Sequence, residues 1–322
     1  MRVLVTGGCG FVGSAVVRLA VERGDQVMNL DRRGRTTPTP ALTPIAAREG
    51  YARLEADASD RAMIRAVIRQ FEPDAVIHLA ATPDAPGDAL IDGEIGAAYA
   101  VLEACRAYRD GISAERRQSF RIVQAEQASN DISFRPTRVQ AARSAAAALM
   151  DRWARACDLP LVTCVAGEAF GPWQPQTSLM ARLVAHLMHD RDFTIPDGGE
   201  IVRDWLPIRD FAAGLLRAAE AAAPLSRIDF SVGAERRDID IAESVCALLD
   251  ERTPRPAGRW MDLVTCAGPP AIASGPMLDQ MDAEQSISWQ PQGFHTGLDR
   301  LLSWSLASRA AVQARTHAIA AE

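Results

Sequence analysis

Residues 5–13 read VTGGCGFVG, with glycines at 7, 8, 10 and 13. Ahead of them MRVLVT is a short apolar strand, and behind them Phe11 to about Arg23 has the apolar spacing of a helix. A strand that turns through glycines into a helix leaves the first helical N–H groups without carbonyl partners and lets bare backbone approach a ligand. Free amides and the helix dipole both favour an anion there. Gly7, Gly10, Phe11, Val12 and Gly13 are therefore the first candidate contacts, while Cys9 reads as a small filler of the turn.

Outward from this turn, strands and helices alternate. DQVMNLD is a second strand closing on Asp31, RRGRTTPTPALTP a loop, and ARLEAD a third strand. Ser59–Gln70 reads as a helix capped by Ser59, and DAVIHLAA as the fourth strand. Helices over 88–109 and 140–156 flank the strand FRIVQA, and PLVTCVAG is the sixth strand. The alternation predicts an α/β fold with a doubly wound parallel sheet. An acid ending the second strand some twenty residues after a glycine turn suits a ribose hydroxyl, which points to a dinucleotide. Asp31 favours NAD over NADP, since a 2′-phosphate would meet its charge, while Arg32 and Arg33 pull the other way.

Beyond about residue 167 the rhythm breaks: GPWQPQ, IPDGGE and TPRPAGR add prolines and glycines. The expected division is a dinucleotide-binding domain over 1–166 and a smaller substrate-binding lobe over 167–322, with segments such as 201–232 returning to the main domain. The tail LASRAAVQARTHAIAAE reads as a helix trailing into a frayed end.

Composition narrows the classes. The 322-residue chain has a net charge of −6, which gives no reason to expect nucleic acid or an anionic membrane as partner. No apolar run reaches bilayer length and the N-terminus enters a strand directly, so a cytoplasmic location is expected. Cys9, Cys105, Cys157, Cys164, Cys246 and Cys266 show no CxxC spacing and read as thiols of a reducing compartment. All 35 basic residues are arginine and none is lysine. No Schiff base to a protein lysine, and no lysine-assisted lowering of a tyrosine pKa, can occur in this chain.

VTGGCGFVG, EAD (55–57), VIHLAA (76–81) and FGPWQ (170–174) together resemble the extended short-chain dehydrogenase/reductase family. VRDWLPIRD (202–210) and SWQPQGFHTGLDRLLSW (288–304) are similar to its nucleotide-sugar branch, the epimerases and 4,6-dehydratases. The resemblance implies a Rossmann-type sheet, with Asp57 and the backbone of Ala58 holding adenine and Leu79, Ala80 and Ala81 lining ribose and phosphate. It implies Thr82, Glu168 and Arg203 at a nucleotide-sugar-like ligand, Arg203 on its diphosphate; the plain structural alternative for Arg203 is an ion pair with Asp204 or Asp210. It also implies a homodimer through the helices near 88–109 and 140–156, where Ala145–Ala148 allow close approach or pack on the sheet.

The catalytic positions depart from the pattern. The family's tyrosine falls at Val139, its lysine at Arg143 and its Ser/Thr at Gln127, followed by Ala128 and Ser129. Val139 cannot accept a proton, and Arg143 can keep a positive charge near the nicotinamide ribose but cannot take a proton back. Tyr51, Tyr99 and Tyr108 all precede this helix. Glu126 is the first candidate base and Glu168 the second. His78 reads as a core histidine. His186 and His189, three apart on a helix, lack a third ligand in sequence reach, so no metal is expected. Three readings stand: a nucleotide-sugar epimerase/dehydratase of altered mechanism, a non-catalytic binding or regulatory protein, and an enzyme for a non-sugar substrate.

Overall fold

The computed structural model describes residues 1–32, 40–82, 87–128, 137–270 and 278–320, with side chains as far as residue 310. Arg33 and Ser129, singled out above, lie outside the described residues. In chain order the first half contains β1 (Arg2–Thr6), α1 (Phe11–Glu22), β2 (Gln26–Asp31), β3 (Tyr51–Glu55), α2 (Arg61–Phe71) and β4 (Ala75–His78). There follow α3 (Gly87–Ile91), α4 (Ala97–Gly111), α5 (Ala114–Ser119), β5 (Arg121–Gln127), α6 (Arg138–Ala156) and β6 (Leu161–Ala166). The second half contains β7 (Glu168–Phe170), α7 (Leu179–Met188), β8 (Phe193–Ile195), β9 (Val202–Pro207), α8 (Ile208–Ala221) and β10 (Arg227–Phe230). β11 (Glu235–Arg237), α9 (Asp238–Arg252), β12 (Val264–Cys266), α10 (Asp282–Ile287) and α11 (Phe294–Ala320) complete it.

The main sheet is parallel throughout and runs β10-β6-β5-β4-β1-β2-β3. Because both faces are covered, its strands are apolar on both sides rather than alternating. Val3 and Val5 pack with α1 and α8 on one face, and Leu4 packs with α2, α4 and α6 on the other. The strand order reverses between β1 and β4, which opens the crevice at the carboxyl ends where such sheets take their ligands. The ends of β1, β2, β4, β5 and β6 bring Gly7, Asp31, Leu79, Gln127 and Gly167 to that edge.

Several local expectations are corrected. Asp60, not Ser59, caps α2: its carboxylate accepts from the Ala62 and Met63 N–H groups at 3.0 Å, while the Ser59 hydroxyl donates to Asp57 at 2.8 Å. The helix expected over 88–109 is two helices joined by a π-turn at Asp92–Gly96. α6 starts two residues earlier than expected, because Thr137 and Gln140 form a reciprocal capping box. β10, within the segment 201–232 expected to return to the main domain, pairs with β6.

Past β6, a separate apolar cluster gathers Phe170, Trp205, Leu183, Ile241 and Leu302 from β7, β9, α7, α9 and α11. β9 pairs with β7 and β11 in a small sheet whose first strand begins at Glu168. The segment 208–230 goes the other way: α8 packs against α1 and under β5. The tail is one helix with α11 extending to Ala320.

Candidate active site at the carboxyl edge of the sheet

The glycine turn is built so that no side chain fits. Gly7 has φ +75°, and a Cβ there would stand 2.4 Å from the Leu79 carbonyl oxygen. A Cβ on Gly13 would stand 2.2 Å from the Gly7 carbonyl. Gly10 differs: its open side meets only the Gly7 carbonyl at 3.2 Å. As the cap of α1, Gly10 offers no side chain to the first turn, so the N–H groups there are left for a ligand. Leu79 and Ala80 are tied to β1 through the Thr6 carbonyl at 3.0 Å and the Thr6 hydroxyl at 3.4 Å. Ala81 beside them is exposed.

Asp31 sits where the turn needs an acid and is 5% exposed. Its carboxylate accepts from the Cys9 N–H at 2.8 Å and the Arg32 N–H at 2.9 Å, one bond on each oxygen among the described residues. Asp57 accepts from the N–H and hydroxyl of Ser59 at 2.9 and 2.8 Å, and its other oxygen is 3.9 Å from Arg32. Ala58 is buried beside it. These features fit a dinucleotide: a cradle that a Cβ would fill, an uncapped helix start, and two acids at the ends of β2 and β3.

Toward the small lobe, Gln127 at the end of β5 donates to Glu168 at 3.0 Å. Burial pushes the Glu168 carboxyl above the usual carboxylate range and Asp238 adds to it; Arg203 and the Gln127 hydrogen bond pull it back. Arg203 pairs with neither Asp204 nor Asp210. It forms a two-pronged contact with Asp238, at 2.9 and 3.2 Å, and Asp238 is 1% exposed. Glu126, the first candidate base, is held by Arg227 at 2.8 Å. Asp238 escaped the sequence reading because 35 residues separate it from Arg203. Its local signal was an acid placed where a buried helix begins.

A second group lies past β4. The Thr82 N–H donates to the Glu94 carboxylate, and Arg143 stands 3.8 Å from that same carboxylate. Glu94 is 5% exposed on the π-turn, a kind of helix defect that recurs at functional sites. The Thr82 hydroxyl is buried without a hydrogen-bond partner among the described residues. Sequence reading missed Glu94, whose available sign was an acid between glycines in DGEIG, followed by the small apolar run Ala97–Ala98. Val139 lies one residue into α6 and Ala128 is tied to the Ala166 carbonyl at 2.8 Å.

The three tyrosines are engaged elsewhere: Tyr51 accepts from Asn29 at 3.2 Å, Tyr99 stacks edge-on with Trp153, and Tyr108 donates to the Pro73 carbonyl at 3.2 Å. Burial lowers the His78 pKa to about 4, and its ring bonds the Thr6 hydroxyl at 2.7 Å, as a core histidine does. His186 and His189 each bond a backbone carbonyl at 2.8 Å. Among the described residues no three His, Cys, Asp or Glu side chains are grouped to hold a metal, no disulfide joins the cysteines, and no helix is long and apolar enough to cross a membrane.

Residues 3–233 match the sequence profile of the NAD dependent epimerase/dehydratase family. A dTDP-glucose 4,6-dehydratase of Neisseria gonorrhoeae is 29% identical, over 95% of this chain and 95% of its own length. A probable dTDP-glucose 4,6-dehydratase of Sinorhizobium fredii is 28% identical, over 95% and 93%. Among solved structures, the Bacillus anthracis dTDP-glucose 4,6-dehydratase in complex with NAD superposes with a TM-score of 0.78 at 16% identity, covering 94% of this chain and 96% of that one. The Thermotoga maritima UDP-glucose 4-epimerase with UDP-glucose gives 0.76 at 19%, covering 96% and 99%. At these identities the two structures speak for the fold.

Proposed function

This chain belongs to the NAD dependent epimerase/dehydratase family, and from that premise we propose that it binds NAD and acts on a nucleotide-diphosphate sugar without a tyrosine–lysine pair. The glycine turn takes the pyrophosphate, Asp31 a ribose hydroxyl in preference to a 2′-phosphate, and Asp57 with Ala58 the adenine. When bound, NAD supplies a hydride acceptor. Glu168 is the proton-handling group: burial keeps its carboxyl able to hold a proton closer to neutrality than an exposed carboxylate can. Gln127 orients it through the 3.0 Å hydrogen bond. Arg203, steadied by Asp238 through Nε and Nη2, keeps Nη1 for a diphosphate oxygen. Arg143 contributes charge and no proton transfer.

The observation that carries this reading is the Gln127–Glu168 pair at the carboxyl edge, in a chain with no lysine and with its tyrosines engaged elsewhere. Glu168 thereby replaces Glu126 as the better base, since an arginine at 2.8 Å occupies the Glu126 carboxylate. Incubation with dTDP-, UDP- and GDP-sugars tests it. Glu168→Gln should lower turnover roughly a hundredfold; unchanged turnover would remove Glu168 from the mechanism.

A non-catalytic binding role has its own support. The Arg203–Asp238 and Glu126–Arg227 pairs each neutralise a charge that chemistry would use. On that reading nucleotide sugars bind and are recovered unchanged. A homodimer through α4 and α6 and a cytoplasmic location complete the proposal, with no role for nucleic acid or membrane.

A further inference from the structure

At the opposite end of the sheet, where β5 and β6 begin, a cavity of about 370 Å³ is lined by Arg109, Arg117, Gln118, Arg121, Asp158 and Pro160. Its volume falls within the range of small-molecule sites, roughly 300–1,000 Å³. Three arginines and one carboxylate line it, in a chain whose net charge is −6. Asp158 does not neutralise the group: its side chain is 88% exposed and 3.7 Å from Arg109.

Two of the three arginines are fixed in place by backbone carbonyls, which leaves a defined remainder of donors. Arg117 donates to the carbonyls of Ile112 and Asp110 at 3.0 and 2.7 Å through Nε and Nη2. Arg121 donates to Ala222, Gln118 and Phe120 at 2.8, 2.7 and 2.9 Å through Nε and Nη1. Nη1 of Arg117 and Nη2 of Arg121 have no hydrogen-bond partner among the described residues. The Nε of Arg109 is buried and also has none. A buried guanidinium N–H without an acceptor is costly, and burial of Arg121 pushes the same way by disfavouring its charge. An anion entering the cavity would take the remaining donors of Arg117 and Arg121, beside the Arg109 guanidinium. The planar donor fork of arginine matches phosphate oxygens in particular.

We propose that this cavity binds the phosphate or diphosphate group of a small molecule, at a site separate from the glycine turn and on the far edge of the sheet. α4 links the two regions: it ends at the cavity and begins at the π-turn that carries Glu94. Occupancy of the cavity is thereby positioned to act on the ligand edge.

Calorimetric titration of the full chain with inorganic pyrophosphate tests the proposal. Wild type should bind, and Arg109→Gln should weaken binding about tenfold, a loss of one strong contact. Arg109→Gln gives up a contact with an exposed carboxylate and a buried, unpaired N–H, so its melting temperature should not fall below that of wild type. Asp158→Asn should tighten binding severalfold; Asp158 has φ +50°, which asparagine tolerates, and a gain of affinity does not arise from misfolding. Arg203→Gln, at the other edge, should at most remove binding at the diphosphate subsite there, and the binding event weakened in Arg109→Gln should persist in it. Absence of binding to wild type would overturn the proposal. So would titrations of Arg109→Gln and Asp158→Asn that both match wild type, since the pyrophosphate would then sit elsewhere.

Discussion

What each carboxylate does in this chain is decided by what faces it. Glu126 and Glu168 both lie near the carboxyl edge, yet one meets an arginine at 2.8 Å and the other a neutral amide at 3.0 Å in a half-buried setting. Asp204, buried on β9, is pushed up by burial more than the Ser231 hydroxyl lowers it. A carboxyl whose folded-state pKa is raised binds its proton more tightly in the fold than in the unfolded chain. Stability from this group is therefore present at low pH and is lost as pH rises from the ordinary carboxylate value through the raised one. Asp204→Asn should flatten the fall in melting temperature between acid and neutral pH; an unchanged pH profile would show that Asp204 ionises freely. The glycine turn and Asp31 were legible in the sequence because their chemistry is local. The partners of Glu126 and Arg203 were not, since 101 and 35 residues of chain separate them from Arg227 and Asp238.

At the scale of elements, the parallel sheet could be read from strand–helix alternation, and the ends of its helices could not. Ser59 and Asp60 are both good caps by residue type, and only the backbone at 60, extended at φ −72° and ψ 99°, selects Asp60. Asp60→Ala should cost about 1 kcal/mol of stability in denaturant unfolding, and Ser59→Ala less. Equal losses would put the cap back at 59. The π-turn was hidden for a similar reason: helical periodicity continues across Asp92–Gly96, while the defect depends on how Gly93 packs against Thr82. A Cβ at Gly93 would stand 2.2 Å from the Thr82 hydroxyl.

For the whole molecule, the return of 208–230 to the main sheet explains why sequence order blurs the boundary between the two cores. α6 buries Ala142, Ala146, Met150 and Ala154 along one face and leaves Ala141, Ala145 and Ala148 exposed on the other. Small side chains on a free helix face permit close approach of a second copy. If the proposed homodimer forms through this face, Ala145→Arg should leave a monomer in sedimentation where wild type sediments as a dimer, without changing the melting temperature at low concentration; a dimer that persists in the variant would place the interface elsewhere. The central claim is that proton transfer here uses a carboxylate and no phenol. Turnover of a dTDP-, UDP- or GDP-sugar should be compared in wild type, in Glu168→Gln and in a variant with Tyr51, Tyr99 and Tyr108 all changed to Phe. The account predicts that the tyrosine-free protein turns over as wild type does and Glu168→Gln falls roughly a hundredfold. Loss of turnover in the tyrosine-free protein, with Glu168→Gln unaffected, would contradict it.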